Sequence, residues 1–249
     1  MEQVRKLRIW MTLLALAATA AAVLLMLYFW QQFSQPYRQL EEQNAASSVA
    51  PVIDSDTLPL YDDSFQLVLV NSTHRLSSSF EPMLTELNGV QVERRIVPYL
   101  KKLLADAEDE GIDLQLKTGY VSEQAQTKQY EAAVQRYSNQ GLSRMKAEDQ
   151  ARRTVGEGGY SEAQTGLSVQ FETKESGQFE TTAAYRWLMN HSIEYGFVLR
   201  YSESKTSFTR MESDASRFRF VGMKNATRMR ELEMCLEEYA NYIAIQKDS

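Results

Sequence analysis

A single cysteine, Cys235, rules out an intramolecular disulfide. It lies in a helical pattern and reads as a buried structural thiol, and nothing near it suggests a lowered thiol pKa. Histidine is nearly as scarce, with only His74 and His191. A catalytic zinc site normally takes three protein ligands from His, Asp, Glu and Cys. Two isolated histidines and one cysteine are a poor inventory for such a site. Beyond the first ten residues no stripe of Lys or Arg stands out, which argues against a nucleic-acid partner. The net charge of -6 names no partner by itself. Internal repeats and low-complexity tracts are also missing. What remains is 43% hydrophobic and 24% charged residues over 249 positions, which suits one membrane segment and one globular domain.

The membrane segment is the one long apolar run. Residues 9–30 carry no charge and, as a helix, span roughly 33 Å, enough for a hydrocarbon core. Tyr28, Phe29 and Trp30 form an interfacial aromatic cluster at its end. Arg5, Lys6 and Arg8 precede it, so the positive-inside rule leaves residues 1–8 as a cytoplasmic tail and sends the rest outside. A cleaved signal peptide is the rival reading, with a small-residue site at Ala18-Thr-Ala20. The apolar run continues well past that site, which favours an uncleaved transmembrane signal anchor over 9–30. Both readings export the domain. The expected localisation is a single-pass cell-membrane protein with an extracytoplasmic C-terminal domain.

Residues 31–64 read as a linker rich in Gln, Ser, Ala, Asp and Pro, with a possible helical turn at Leu40-Glu-Glu-Gln43. As flexible chain it spans on the order of 30 Å and keeps the domain near the membrane. The globular domain is expected over 65–245. Leu67-Val-Leu-Val70 is a short buried-strand candidate. Residues 98–110 predict a helix stopped by Gly111, and 114–118 a strand. Residues 123–153 predict two helices broken at Asn139-Gln-Gly141. Residues 156–161 form a glycine-bearing loop and 166–171 alternate as a strand. Thr181 or Thr182 caps a helix to about Tyr195, with Ala184, Trp187, Leu188 and His191 on one face. Strands follow at 197–199 and 218–221. One last helix from about Asn225 buries Ala226, Met229, Leu232, Leu236, Tyr239 and Ile243. This order predicts an α+β fold, a small antiparallel sheet with packed helices, preceded by one transmembrane helix.

Several short strings invite a chemical reading. His191 and Glu194 stand three apart on a helix, but a core or capping histidine is the simpler reading. His74 falls in a polar loop. Ser143-Arg-Met-Lys146 and Lys205-Thr-Ser207 have the form of serine penicillin-binding motifs, though such strings recur by chance.

The most informative stretch is Ser161-Glu-Ala-Gln-Thr-Gly-Leu-Ser-Val-Gln170. It resembles Ser-x-His-x-x-Gly-x-x-x-Asp, the signature of the D-alanyl-D-alanine carboxypeptidase family of zinc metallopeptidases, of the vancomycin-resistance type. The likeness runs from about Leu67 to Tyr239. It includes Leu69-Val-Asn71 with Phe80-Glu-Pro82, and Thr118-Gly-Tyr-Val-Ser122 with Gln126 and Tyr130. It continues through Tyr185-Arg-Trp-Leu188, Glu194-Tyr-Gly-Phe-Val-Leu-Arg-Tyr201 and Lys205. Asp214-Ala-Ser-Arg-Phe-Arg-Phe-Val-Gly222 then matches a Glu-Pro-Trp-His-Leu/Phe-Arg-Tyr-Val-Gly pattern. The motifs match in the right order, which makes the fold implied fairly specific.

The resemblance implies two His and one Asp on zinc, a general-base Glu and a substrate-carboxylate Arg. This chain departs at each place. Ala163 and Arg217 stand for the two histidines, Gln170 for the aspartate, Asp214 for the base and Val121 for the arginine. No cofactor is therefore expected, the family zinc being lost. Asp214 and Arg217 can form an ion pair that stabilises the pocket or holds an anionic group. Ser122, Gln126, Ser161, Gln164, Thr165 and Arg217 are the candidate substrate-binding set, with structural turn roles equally open for the uncharged ones. The expectation is a membrane-anchored pseudoenzyme, not an enzyme, that binds cell-wall stem peptide or a membrane-protein partner. An active peptidoglycan peptidase with a rearranged site is the alternative, and a scaffold for a membrane complex is a third reading.

Overall fold

The computed structural model describes residues 63–247. The expected cytoplasmic tail, the anchor over 9–30, nearly all of the linker and the turn at 40–43 lie outside the described residues. Among the described residues no helix is long and apolar enough to cross a membrane.

The fold is α+β, as its sequence pattern predicts. The first two strands form a hairpin, β1 (Leu84–Leu87) and β2 (Val90–Glu93), joined at Asn88-Gly89. Both turn residues have positive φ, 50° and 79°, the requirement of a tight hairpin turn. Helix α1 (Val97–Asp109) carries Pro98 in its first turn, where the missing N–H costs no hydrogen bond. Its Leu100, Leu103 and Ala107 are buried at helical spacing. Strand β3 (Gln115–Thr118) follows, then α2 (Glu123–Asn139) and α3 (Arg144–Thr154), which pack on each other. Buried Ala133, Ala147 and Ala151 put small side chains on these two helices. Strand β4 (Ser168–Glu172) leads to α4 (Ala183–His191), whose N-terminus is capped by Thr182 Oγ1 accepting from Tyr185 N at 3.2 Å. The rest is β5 (Phe197–Tyr201), a single turn α5 (Thr206–Thr209), β6 (Asp214–Phe220), α6 (Met223–Glu231) and α7 (Leu236–Lys247).

The main sheet has the order β3-β4-β6-β5, with every neighbouring pair antiparallel. Leu116, Val169, Phe171, Phe218 and Phe220 join Leu100, Leu103, Trp187 and Leu188 in one core. A second cluster forms under α6 and α7 around Val221, Ala226, Met229, Leu236 and Tyr239.

Four local expectations change. Residues 67–70 make no strand: a 3-10 turn over Asp63–Leu67 comes first, and the Gln66 and Val68 carbonyls accept from Arg219 Nη2 at 3.1 and 2.9 Å. A buried guanidinium takes acceptors that a neighbouring strand would otherwise use. The last helix is two helices. Glu233 enters the left-handed region at φ 53°, and Glu238 Oε2 accepts from Cys235 N at 2.9 Å to start the second. The helix from Thr182 tightens into a 3-10 turn over Ser192–Tyr195. Strand β6 begins at Asp214, four residues earlier than its apolar pattern indicates.

Gly166, inside the signature stretch, has φ 69°, and a Cβ there would lie 2.8 Å from Glu93 N. That same amide donates to the Gly166 carbonyl at 2.9 Å. Gly166→Ala is expected to cost about 1–3 kcal/mol for the left-handed backbone alone. A denaturant-unfolding midpoint that does not move contradicts this.

Candidate functional site

Two bulges in the main sheet build the site. Along β3, Leu116 pairs with Phe171 and Thr118 pairs with Gln170, so Lys117 is an extra residue. Strict alternation would put Thr118 on the core face with Leu116. The bulge turns it to the face of Gln170 instead, where Thr118 Oγ1 donates to Gln170 Oε1 at 2.8 Å. Along β6, Leu199 pairs with Phe218 but Tyr201 pairs with Asp214. Residues three apart on a regular strand face opposite sides. This irregularity lets Asp214 and Arg217 line the same cavity.

That cavity has a volume of about 350 Å³. Ala163, Gln170, Asp214 and Arg217, far apart in sequence, all line it, as does Val121. Gln170 and Arg217 are cross-strand Cα partners. Val121 N donates to the Ala163 carbonyl at 3.1 Å, tying the loop before α2 to the signature turn. The polar floor is one connected chain. Gln170 Nε2 donates to Asp214 Oδ2 at 2.8 Å, and Arg217 Nε approaches the same oxygen at 3.4 Å. Asp214 Oδ1 accepts from Ser216 N and Oγ at 3.0 and 2.6 Å.

Burial alone would raise the Asp214 pKa. The Ser216 hydrogen bonds, the Arg217 charge and the Gln170 amide outweigh it and hold the carboxyl below its ordinary value. Asp214 is thus an anion at neutral pH. Tyr201, also lining the cavity, is pushed up to about 12, mainly by burial, so its hydroxyl stays protonated.

The other candidates fall into two groups. Ser161 and Gln126 line the cavity. Gln126 Nε2 donates to the Val155 and Gly156 carbonyls at 2.7 and 2.9 Å, which anchors the loop after α3. Ser122, Gln164 and Thr165 lie outside the cavity lining. Ser122 Oγ caps α2 by accepting from Ala125 N at 3.2 Å. Gln164 Oε1 accepts from Gly159 N at 2.7 Å, and Thr165 Oγ1 donates to the Glu162 carbonyl at 2.7 Å. His191 stacks on Trp187 at 4.9 Å with Glu194 3.6 Å away, and neither His191 nor Glu194 lines the cavity. His74 sits in an exposed turn held by Asn71. Ser143 precedes α3 and Lys205 pairs with Glu238 at 2.8 Å, and neither lines the cavity.

Sequence reasoning missed Thr118 and Tyr201 as cleft residues, although both lie in the segments of family likeness. It also missed the buried charge network at the cleft, of which Glu162 is itself a lining residue. Glu162 is 1% exposed, and both its oxygens meet Arg219 Nη1, at 2.9 and 2.8 Å. Arg200 Nε lies 3.1 Å from Glu162, and Arg200 forks onto Glu237 at 3.0 and 2.7 Å.

The zinc that the likeness implies does not fit these residues. Ala163 offers a methyl group, Gln170 has both amide atoms engaged, and Arg217 adds a fixed cation. Among the described residues no three His, Cys, Asp or Glu side chains are grouped to hold a metal ion.

Comparison with known proteins places the cleft in a family. The VanY D-alanyl-D-alanine carboxypeptidase family matches residues 89–223. A D-alanyl-D-alanine carboxypeptidase of Enterococcus faecalis is 31% identical over 182 residues, covering 72% of this chain and 67% of the relative. The solved structure of VanYB in complex with D-alanine-D-alanine is 32% identical with a TM-score of 0.66, covering 71% of this chain and 98% of that one. A vancomycin-resistance D,D-pentapeptidase VanY solved with Zn(II) is 31% identical with a TM-score of 0.65, covering 70% and 98%. These matches correct the expectation that the chain is not an enzyme. The family and the relative are carboxypeptidases, and the match includes Ala163, Gln170, Asp214 and Arg217. Altered residues at the expected ligand positions are therefore no warrant for removing it from the enzymes. The chain belongs to the D-alanyl-D-alanine carboxypeptidase family.

Proposed function

We propose that this protein is a peptidoglycan D,D-carboxypeptidase with a rearranged site, acting on stem peptides that end in D-Ala-D-Ala. One observation carries the reading: the cavity built by β3, β4 and β6 keeps an ionised carboxylate, Asp214, where the family likeness places the general base. The D-alanine-D-alanine complex of VanYB supports the choice of peptide.

The cleft residues divide the work. Asp214 is the candidate base that takes a proton from an attacking water. Gln170, Ser216 and Arg217 hold it in place and keep it ionised. A carboxylate whose pKa lies below the ordinary range is also a weak base, so a slow turnover is expected. Ser161 lines the approach. The sequence supports an extracytoplasmic site of action, with residues 9–30 as the tether.

The test is D-Ala release from a D-Ala-D-Ala-terminated pentapeptide by the full chain in membranes or detergent. Release is expected without added zinc, and Asp214→Asn is expected to lower it by about 10²- to 10⁴-fold. No release in an assay where a zinc-dependent relative is active would sink the proposal.

A further inference from the structure

Arg217 has hydrogen-bonding capacity that the fold does not use. Three arginines lie on β5 and β6, and they differ sharply. Arg200 and Arg219 are fully buried. Arg219 donates to Glu162 and backbone carbonyls, and both Nη groups of Arg200 donate to Glu237, while Arg200 Nε lies 3.1 Å from Glu162 without a hydrogen bond. Arg217 is 18% exposed and lines the cavity. Its Nε approaches Asp214 Oδ2 at 3.4 Å, and its two Nη groups make no hydrogen bond among the described residues. Asp214 is meanwhile satisfied by Gln170 and Ser216, so it does not require the whole guanidinium. A planar guanidinium presents paired N–H groups at the spacing of a carboxylate. Tyr201 adds a hydroxyl that lines the same cavity and has no hydrogen-bond partner among the described residues. Val121 and Ala163 line the same cavity without charge. Of its three acidic residues, Glu162 is paired with Arg219 and Asp214 with Gln170 and Ser216, and Glu212 accepts from Gln150.

We infer that Arg217 anchors the C-terminal carboxylate of the D-alanyl peptide, with the Tyr201 hydroxyl as a second donor. This rests on the peptide-cleft reading above. It also gives the cation a use: a peptide anion is drawn to the place where a metal ion would be repelled.

The test compares two peptides on the full, unaltered chain by calorimetry: the D-Ala-D-Ala-terminated pentapeptide and its C-terminal amide. The amide is expected to bind about 10- to 100-fold more weakly, the range for hydrogen bonds to a charged group. Arg217→Met is expected to erase that preference by weakening the acid alone, and Arg217→Lys to keep part of it. Tyr201→Phe is expected to weaken the acid by a smaller factor. Equal binding of acid and amide, with D-Ala release intact, overturns the anchor and leaves the peptide cleft standing. If neither peptide binds and no D-Ala is released, both readings fall. The comparison on unaltered protein decides the matter even if a variant does not fold.

Discussion

Changing Glu162 to Gln is expected to destabilise the folded domain by about 3–5 kcal/mol, the usual cost of removing one partner from a buried ion pair. Glu162 holds both its oxygens on Arg219 Nη1 and lies 3.1 Å from Arg200 Nε. With Glu237, the group contains two acids and two bases, all buried or nearly so. Loss of one carboxylate leaves an uncompensated positive charge in the interior. Arg219 cannot turn to water, because Nε also donates to the Phe220 carbonyl and Nη2 to those of Gln66 and Val68. Denaturant unfolding of the full chain and the variant measures the cost. The double change Glu162→Leu with Arg219→Met removes both charges and is expected to cost less than the single change, since an apolar pair carries no desolvation penalty. A single-variant midpoint shift worth less than about 1 kcal/mol, the value of a surface pair, would show that the network is not a stabilising centre.

The same network sets an acid limit on stability. Burial would raise the Glu237 carboxyl, but the Arg200 charge and its two hydrogen bonds override burial and hold it below its ordinary value. A carboxyl depressed in the folded state favours folding fully above its unfolded pKa, near 4.3 for Glu. The contribution is lost as pH falls through the lower folded value. Asp214 acts in the same direction. Unfolding free energy is therefore expected to fall with acidification below about pH 4–5, where both carboxyls begin to take up protons.

The helices were legible because their signals are local. Pro98, Thr182 and Gly111 mark boundaries, and Leu100, Leu103 and Ala107 repeat at helical spacing. The β1–β2 hairpin was overlooked although Asn88-Gly89 announces it; its four-residue strands are too short to show convincing alternation. The bulges were beyond reach for a different reason. Register is set between strands, so no single segment shows that Lys117 is extra or that Asp214 turns to meet Arg217. Phe218-Arg-Phe220 reads as a strand with a polar outer face, yet Arg219 is fully buried because Glu162 and three carbonyls await it. The cleft's membership was half legible. Likeness to a known signature identified Ala163, Gln170, Asp214 and Arg217, and folding brings them to one cavity. Local sequence did not show that Ser122, Gln164 and Thr165 serve the backbone around it.

Introducing three side chains together is expected to create a zinc site. The triple variant Ala163→His, Gln170→Asp and Arg217→His should bind one zinc ion per chain, whereas the unaltered protein should bind none stoichiometrically. Positions 170 and 217 are cross-strand partners, so side chains there emerge close together on one face, and position 163 lines the same cavity. Three such ligands leave a fourth place open, the arrangement of a catalytic rather than a structural zinc site. Thr118 Oγ1, which now donates to Gln170, can donate equally to a carboxylate introduced at that position and orient it. The Arg217 change is expected to matter most. It supplies a ligand and removes the fixed cation, so Ala163→His with Gln170→Asp alone should gain little affinity. Zinc titration with metal analysis on the full chain separates these cases. A folded triple variant that takes up no zinc would mean that the bulged strands no longer hold the three positions at bonding distance. Stoichiometric, chelator-sensitive zinc in the cleft of the unaltered chain would mean that Gln170, Asp214 and Arg217 rearrange to admit a metal, and the anion-anchoring role of Arg217 would fall with it.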